Sequence, residues 1–143
     1  MGKKRVIKKG EGAVVTTTFT PKALTKGRSF QDGRVSIYSS YNNTILSLAD
    51  TQGNVVFTTS AGAVGFKGTK KSTPYAASKV AETLADVAKA RGVERIAITL
   101  RGIGPGRESA LRSLGTKGFV IQSIRDLTPV PHNGPRKRKV RRV

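Results

Sequence analysis

The sequence has no cysteine and one histidine, and only 8 of its 143 residues are acidic. Without cysteine there can be no disulfide and no thiolate metal site. One histidine cannot begin a zinc site, which takes three or four ligands. That histidine, His132, stands in a proline-rich stretch, where an imidazole serves more often as a polar contact than as a catalyst. A two-metal nuclease needs clustered carboxylates. Here Asp50 and Asp126 fall at expected strand ends, while Glu82, Asp86, Glu94 and Glu108 fall on or beside expected helices. Glu82 and Asp86 lie one helical turn apart among Lys79 and Lys89, the pattern of a solvent face. A Ser/His/Asp triad has no local signature. No apolar run reaches the roughly 18 residues that a membrane helix takes, so no span is expected. The basic start lacks the apolar core of a secretory signal. Val6 stands where a myristoylation signal has Ser or Thr.

What the chain has in excess is positive charge: 27 Lys and Arg, for a formal net charge of +19. A surface so positive repels itself, and a polyanion relieves the repulsion. Nucleic acid, an anionic membrane surface and an acidic protein are the candidate partners. The charge is uneven. Residues 1–34 hold nine basic and two acidic residues, and residues 127–143 hold six basic and none acidic, so most of the excess lies at the ends. The expected organisation is a basic N-terminal arm, 1–33, a domain, 34–126, and a basic, proline-containing C-terminal arm, 127–143. The bland alternative is a pair of solvated tails, but two of them flanking a basic domain favour a polyanion. The first arm concentrates its charge at Lys3, Lys4, Arg5, Lys8 and Lys9, and the last at Arg136, Lys137, Arg138, Lys139, Arg141 and Arg142. Pro129, Pro131 and Pro135 forbid regular helix in the second arm and favour an extended chain able to thread between RNA helices.

The middle reads as an α/β fold. Arg34–Tyr41 and Thr44–Ala49 are rich in Val, Ile, Tyr and Thr, and Asn42-Asn43 between them tolerates left-handed turn geometry, so the pair reads as a hairpin. Asp50–Asn54 is a second turn, leading to a strand at Val55–Thr59. A glycine-rich loop, Ser60–Thr73, precedes a helix over 74–91, with Thr73 as N-cap and Pro74 in the first turn. Ala77, Val80, Ala81, Leu84 and Ala88 recur at helical spacing. Their small size suits packing on a sheet, where a membrane-surface helix would carry large apolar residues. Glu94–Arg101 alternates as a strand, Gly102–Gly106 is a tight loop, a second helix runs over Arg107–Thr116, and Phe119–Arg125 is the last strand. The order β-β-β-α-β-α-β implies a mixed five-stranded sheet with helices packed on it.

Two glycine clusters carry possible chemistry. In SAGAVGFKGTKKSTP, Gly62, Gly65 and Gly68 permit close backbone approach and Lys67, Lys70 and Lys71 add charge. The loop runs through Ser72 and Thr73 into a helix N-terminus, where free N–H groups favour an anion. These features make a phosphate site, although the spacing fails the nucleotide-binding P-loop pattern. A flexible loop with solvated lysines is the bland reading. The second cluster, RGIGPGRES, follows a strand and opens a helix, but Arg107 stands where a dinucleotide fingerprint has its third glycine. It reads either as a second backbone–phosphate contact with Arg107 alongside or as a turn that needs glycine for geometry alone.

Four runs then stand together: YNNTI at 41–45, SAGAVGFKGTKKSTPYAA, GIGPGRESALR and SIRDLTPVPHNG. In order and spacing they resemble the bacterial-type ribosomal small-subunit protein eleven family over about Arg34 to Val143. The PHNG element resembles the bacterial and organellar branch. Residues 1–33 share only the family's basic character, and the Cys-Arg-Pro-Pro that often follows the HNG is replaced by PRKRK. The resemblance implies a ribonuclease-H-like layered fold without catalytic carboxylates, no enzyme activity and no cofactor or metal. It implies a place in the ribosome, on the platform of the small subunit in the cytoplasm or an organelle, bound to small-subunit rRNA near the messenger exit and the Shine–Dalgarno cleft. Families seven, eighteen and twenty-one are its implied neighbours. Carried over by position, the implied RNA contacts are Asn42 and Asn43, the Ser60–Thr73 loop, Arg107, and the arm from Thr128 through His132, Asn133 and Gly134 to Arg142. Recognition would rest on shape and backbone more than on base edges. The other class left open by the residues is an independent nucleic-acid chaperone or an enzyme-bound RNA module, which sedimentation with small subunits would separate.

Overall fold

Alternation along the strands decides which face is buried. In β1 (Asp32–Ser39), Val35, Ile37 and Ser39 point inward while Arg34, Ser36 and Tyr38 are exposed. β2 (Thr44–Ala49) buries Thr44, Leu46 and Leu48, β3 (Val55–Ser60) buries Phe57 and Thr59, and β4 (Arg95–Arg101) buries Ile96, Ile98 and Leu100. β5 (Val120–Asp126) lies at an edge and buries no residue fully. The computed structural model describes residues 29–139 and 141. The spatial order is β3-β2-β1-β4-β5; β2 is antiparallel to β1 and β3, and β4 is parallel to β1 and β5. This is the mixed five-stranded sheet expected, in the expected element order, and ribonuclease-H-like layering fits it.

Helices α1 (Pro74–Ala90) and α2 (Gly106–Thr116) pack against each other and against the same face of the sheet. Val80, Ala81 and Leu84 of α1 and Ala110 and Leu114 of α2 are fully buried with Ile37, Leu46, Leu48, Ile96 and Ile98 from the strands. Each Leu or Ile so buried contributes about 1.5–3 kcal/mol. The alanines keep α1 close to its neighbours. Thr73 caps it as expected, its hydroxyl accepting from Ala76 N at 3.2 Å, and Gly92 N and Val93 N close its end on Lys89 O and Ala88 O at 2.9 and 3.0 Å.

Two local expectations change. β1 starts at Asp32 because Asp32 pairs in register with Arg95 and accepts from its guanidinium at 2.7 Å. β1 ends at Ser39 because Ser40 folds the chain back: its N–H donates to Asn43 O at 2.9 Å and its hydroxyl accepts from Asn43 N at 3.1 Å. The hairpin is present, but neither Asn42 nor Asn43 adopts a positive φ. The serine hydroxyl supplies what left-handed backbone would otherwise have supplied.

Candidate nucleic-acid interface

β1, β3, β4 and β5 all finish at the same end of the sheet, and the turn and both glycine clusters singled out in the sequence gather there. The β1–β2 turn at 40–43 lies at that end. Ile45 pairs with Ser60, and Ala61 N donates to Thr44 O at 3.1 Å, which seats the start of the glycine-rich loop beside the turn. The 102–106 loop packs on the same spot: Gly104 N donates to Ser39 O at 3.0 Å, and Gly106 is buried against Thr44 and Ala77. Leu127 N donates to Leu100 O at 2.9 Å, so the C-terminal segment leaves from there too. The N-termini of both helices open toward it. In open α/β sheets the crevice beyond the carboxyl ends of the strands is the usual ligand site.

The Ser60–Thr73 segment is built rather than slack. Ala61 is fully buried, Phe66 N donates to Ala61 O at 3.0 Å, and the Phe66 ring meets Tyr75 edge-on at 6.0 Å between centroids. Gly68–Ser72 form a short 3-10 turn, with Gly68 at φ +59°. Lys67, Gly68 and Lys70 are exposed, Lys71, Ser72 and Thr73 are half-buried, and Gly62 is open to solvent. The N-terminus of α1 offers less than its sequence promised. Pro74 has no N–H, Thr73 occupies Ala76 N, and Ala77 N donates to Thr73 O. In that turn Tyr75 N has no partner among the described residues, so the lysines supply most of the attraction to an anion.

Arg107 is engaged within the protein. Its guanidinium donates to Gly102 O at 3.1 Å, to the Thr128 hydroxyl at 3.4 Å and to the Asp126 carboxylate. Thr128 completes the clasp: its hydroxyl donates to Asp126 at 2.6 Å and accepts from Gly102 N at 3.2 Å, and its N–H donates to Asp126 at 2.9 Å. The Thr128 hydroxyl, with the Arg107 guanidinium and the Thr128 N–H, holds the Asp126 carboxyl down to about 2. The clasp fixes the direction in which residues 127 onward depart. Beyond it the described chain has no regular structure. Asn133 takes φ 57° and its side chain accepts from Arg136 at 2.8 Å, turning the chain at the HNG element. His132, Arg136, Lys137, Arg138, Lys139 and Arg141 are exposed.

Of the residues expected at the site, Asn42, Asn43, the Ser60–Thr73 group, Arg107 and Thr128 are brought to this end. Lys3, Lys4, Arg5, Lys8, Lys9 and Arg142 lie outside the described residues. Sequence reasoning missed Ser40 and Asp126 as supports. Ser40 carried a signal, a serine opening a tight turn. Asp126 carried a local one too, Thr128 two residues on, but its other partner, Arg107, is distant in the chain. Among the described residues no three His, Asp or Glu side chains gather as a metal site, and no helix is long and apolar enough to cross a membrane.

Comparison with known proteins matches residues 33–142 to the sequence model of the family described as Ribosomal protein S11. The chain is 51% identical over 116 residues to the small ribosomal subunit protein uS11 of Acidiphilium cryptum, covering 81% of this chain and 89% of that protein. It is 48% identical over 116 residues to uS11 of Chromobacterium violaceum, covering 81% and 88%. It is 47% identical over 125 residues to uS11 of Treponema pallidum, covering 85% and 99%.

Proposed function

The chain belongs to the ribosomal protein S11 family, and from that premise we propose that the strand-end surface holds small-subunit rRNA by its backbone. The protein is a structural constituent of the small ribosomal subunit, not an enzyme, and it works in the ribosome, which lies in the cytoplasm in bacteria. The observation that carries the finer reading is convergence. The 40–43 turn, the lysine-bearing loop, the 102–106 loop and the root of the C-terminal segment share one end of the sheet.

Each part has a task on the RNA. Lys67, Lys70 and Lys71 lie against phosphates, with Tyr75 N as an oriented donor. Asn42 and Asn43 offer amides to ribose or phosphate oxygens. Arg107 acts chiefly by aiming the arm, and residues 127–143 run along the RNA as an extended cationic strand, with residues 1–33 as a second basic arm around the 34–126 domain. The site lies on the platform, near the messenger exit and the Shine–Dalgarno cleft, beside families seven, eighteen and twenty-one, which are the positions the family resemblance supports.

The test is binding of the purified chain to transcribed small-subunit rRNA across a salt series. Changing Lys70 and Lys71 together to Ala is expected to weaken binding and to lower the salt slope by up to about two, with an unchanged circular dichroism spectrum because both side chains lie outside the core. Parent-like affinity and slope would sink the assignment of this loop.

A further inference from the structure

The sheet has a second face that neither helix touches. In register across it stand Arg34, Ala97 and Ser123, then Ser36, Thr99 and Arg125, then Tyr38 and Arg101. Strands paired in parallel are normally covered on both faces. Here, among the described residues, β1, β4 and β5 are covered on one. Between Arg34 and Arg125 the small side chains Ala97, Thr99 and Ser123 leave a groove of about 250 Å³.

Some arginines of the domain are paired: Arg95, on this same face, with Asp32, and Arg107, at the strand ends, with Asp126. Arg34, Arg101 and Arg125 are exposed, and their side chains make no ion pair or hydrogen bond among the described residues. Asp32, the one carboxylate among the strand residues of this face, is already neutralised by Arg95. Two of these guanidiniums, on Arg34 and Arg125, therefore flank a groove lined by Ala97, Thr99 and Ser123 with Leu127 at its side, and Arg101 stands further along the face in register with Tyr38, which is 50% exposed.

We propose that this open face is a second rRNA docking surface, in which one RNA backbone segment lies in the groove with its phosphates forked by Arg34 and Arg125. The proposal rests on the rRNA reading above and adds a separate site. Guanidinium forks match phosphate oxygens in pairs. The small floor lets a sugar–phosphate chain come down onto the sheet, where Ser36, Thr99 and Ser123 can meet phosphate or 2′-hydroxyl oxygens. Tyr38 gives an unpaired base a ring to stack on.

The experiment compares the full chain with two double variants, R34A/R125A and K70A/K71A, and with R34K/R125K, each titrated onto transcribed small-subunit rRNA over a salt series. The expected result for R34A/R125A is an affinity about tenfold lower or more and a salt slope lower by about two. In R34K/R125K the slope should return to that of the parent while part of the affinity stays lost, because an ammonium cannot fork a phosphate. Circular dichroism should be the same for all four proteins, the changed side chains being exposed, and R34K/R125K serves as the reading should R34A/R125A fold poorly. If R34A/R125A binds like the parent while K70A/K71A is weakened, the proposal is overturned, the rRNA reading of the strand ends stands, and the face belongs to an acidic protein partner. If both bind like the parent, the strand-end reading fails and the open face with it.

Discussion

Gly104 has no room for any side chain at all. A Cβ there would lie 2.2 Å from Ser40 O and 2.5 Å from Ser39 Oγ, and one on Gly102 would lie 2.1 Å from Ser39 O. Gly68 is different: its φ of +59° disfavours other residues, but nothing lies within 4 Å of its Cβ position. The two glycines therefore predict different losses. Gly104→Ala should destabilise the domain by about 3 kcal/mol, since the clash is with backbone that cannot move aside. Gly68→Ala should cost about 1–2 kcal/mol, the strain of left-handed backbone alone. Urea midpoints at unchanged slope measure both, and equal losses would refute the distinction. The sequence left this glycine cluster open between phosphate contact and turn geometry. The structure gives geometry a physical reason, because the Ser39 and Ser40 backbone comes from the end of β1 and the turn after it, far away in the chain. No periodicity or local spacing could have revealed that contact.

The same limit holds for whole elements. Strands and helices were legible because each is set by its own alternation or 3.6-residue spacing, and Thr73-Pro74 marked the start of α1 outright. The joining of elements was not legible: Arg107 on α2 reaching Asp126 at the end of β5 is a tertiary contact. It carries a pH prediction. The Asp126 carboxyl titrates at about 2 in the folded chain, below its ordinary value of 3.8. A lowered folded value means that the stabilising effect is present in full above the ordinary value and is lost as pH falls through the folded one. The clasp should therefore hold at pH 5 and above and loosen between about pH 4 and pH 2. Exchange protection of the Gly102 and Thr128 amides reports it directly, and Asp126→Asn should show weak protection with little pH dependence over that window. Protection in the parent that stays constant down to pH 2 would contradict the clasp. On rRNA, Asp126→Asn should weaken binding while leaving the number of basic groups unchanged, because the arm loses its direction rather than its charge.

At the scale of the molecule, one quantity acts with opposite sign on two measurements. The net charge of +19 is carried by a chain with few acids to offset it, most of the excess in the two terminal segments. In the free chain like charges repel, and salt screens them with a Debye length of about 10 Å at 0.1 M. Stability of the free protein should therefore rise with salt, most steeply below about 0.1 M. Binding to rRNA runs the other way. Each phosphate neutralised releases condensed counterions, and release is less favourable in concentrated salt. If the strand-end surface, the open face and the arms together neutralise about six to ten phosphates, affinity should fall roughly 10³–10⁵-fold between about 50 and 200 mM salt, with the duplex-DNA slope as guide. Thermal melts of the free chain and filter binding to transcribed rRNA, run in the same buffers, test both signs together. A flat binding curve would mean that contacts other than phosphate dominate. A melting temperature that falls with salt would mean that the ion pairs of the domain, such as Arg95 with Asp32, outweigh the repulsion. A rising melting temperature alongside falling affinity is the pattern expected of a chain whose charge is matched to a polyanion rather than to itself.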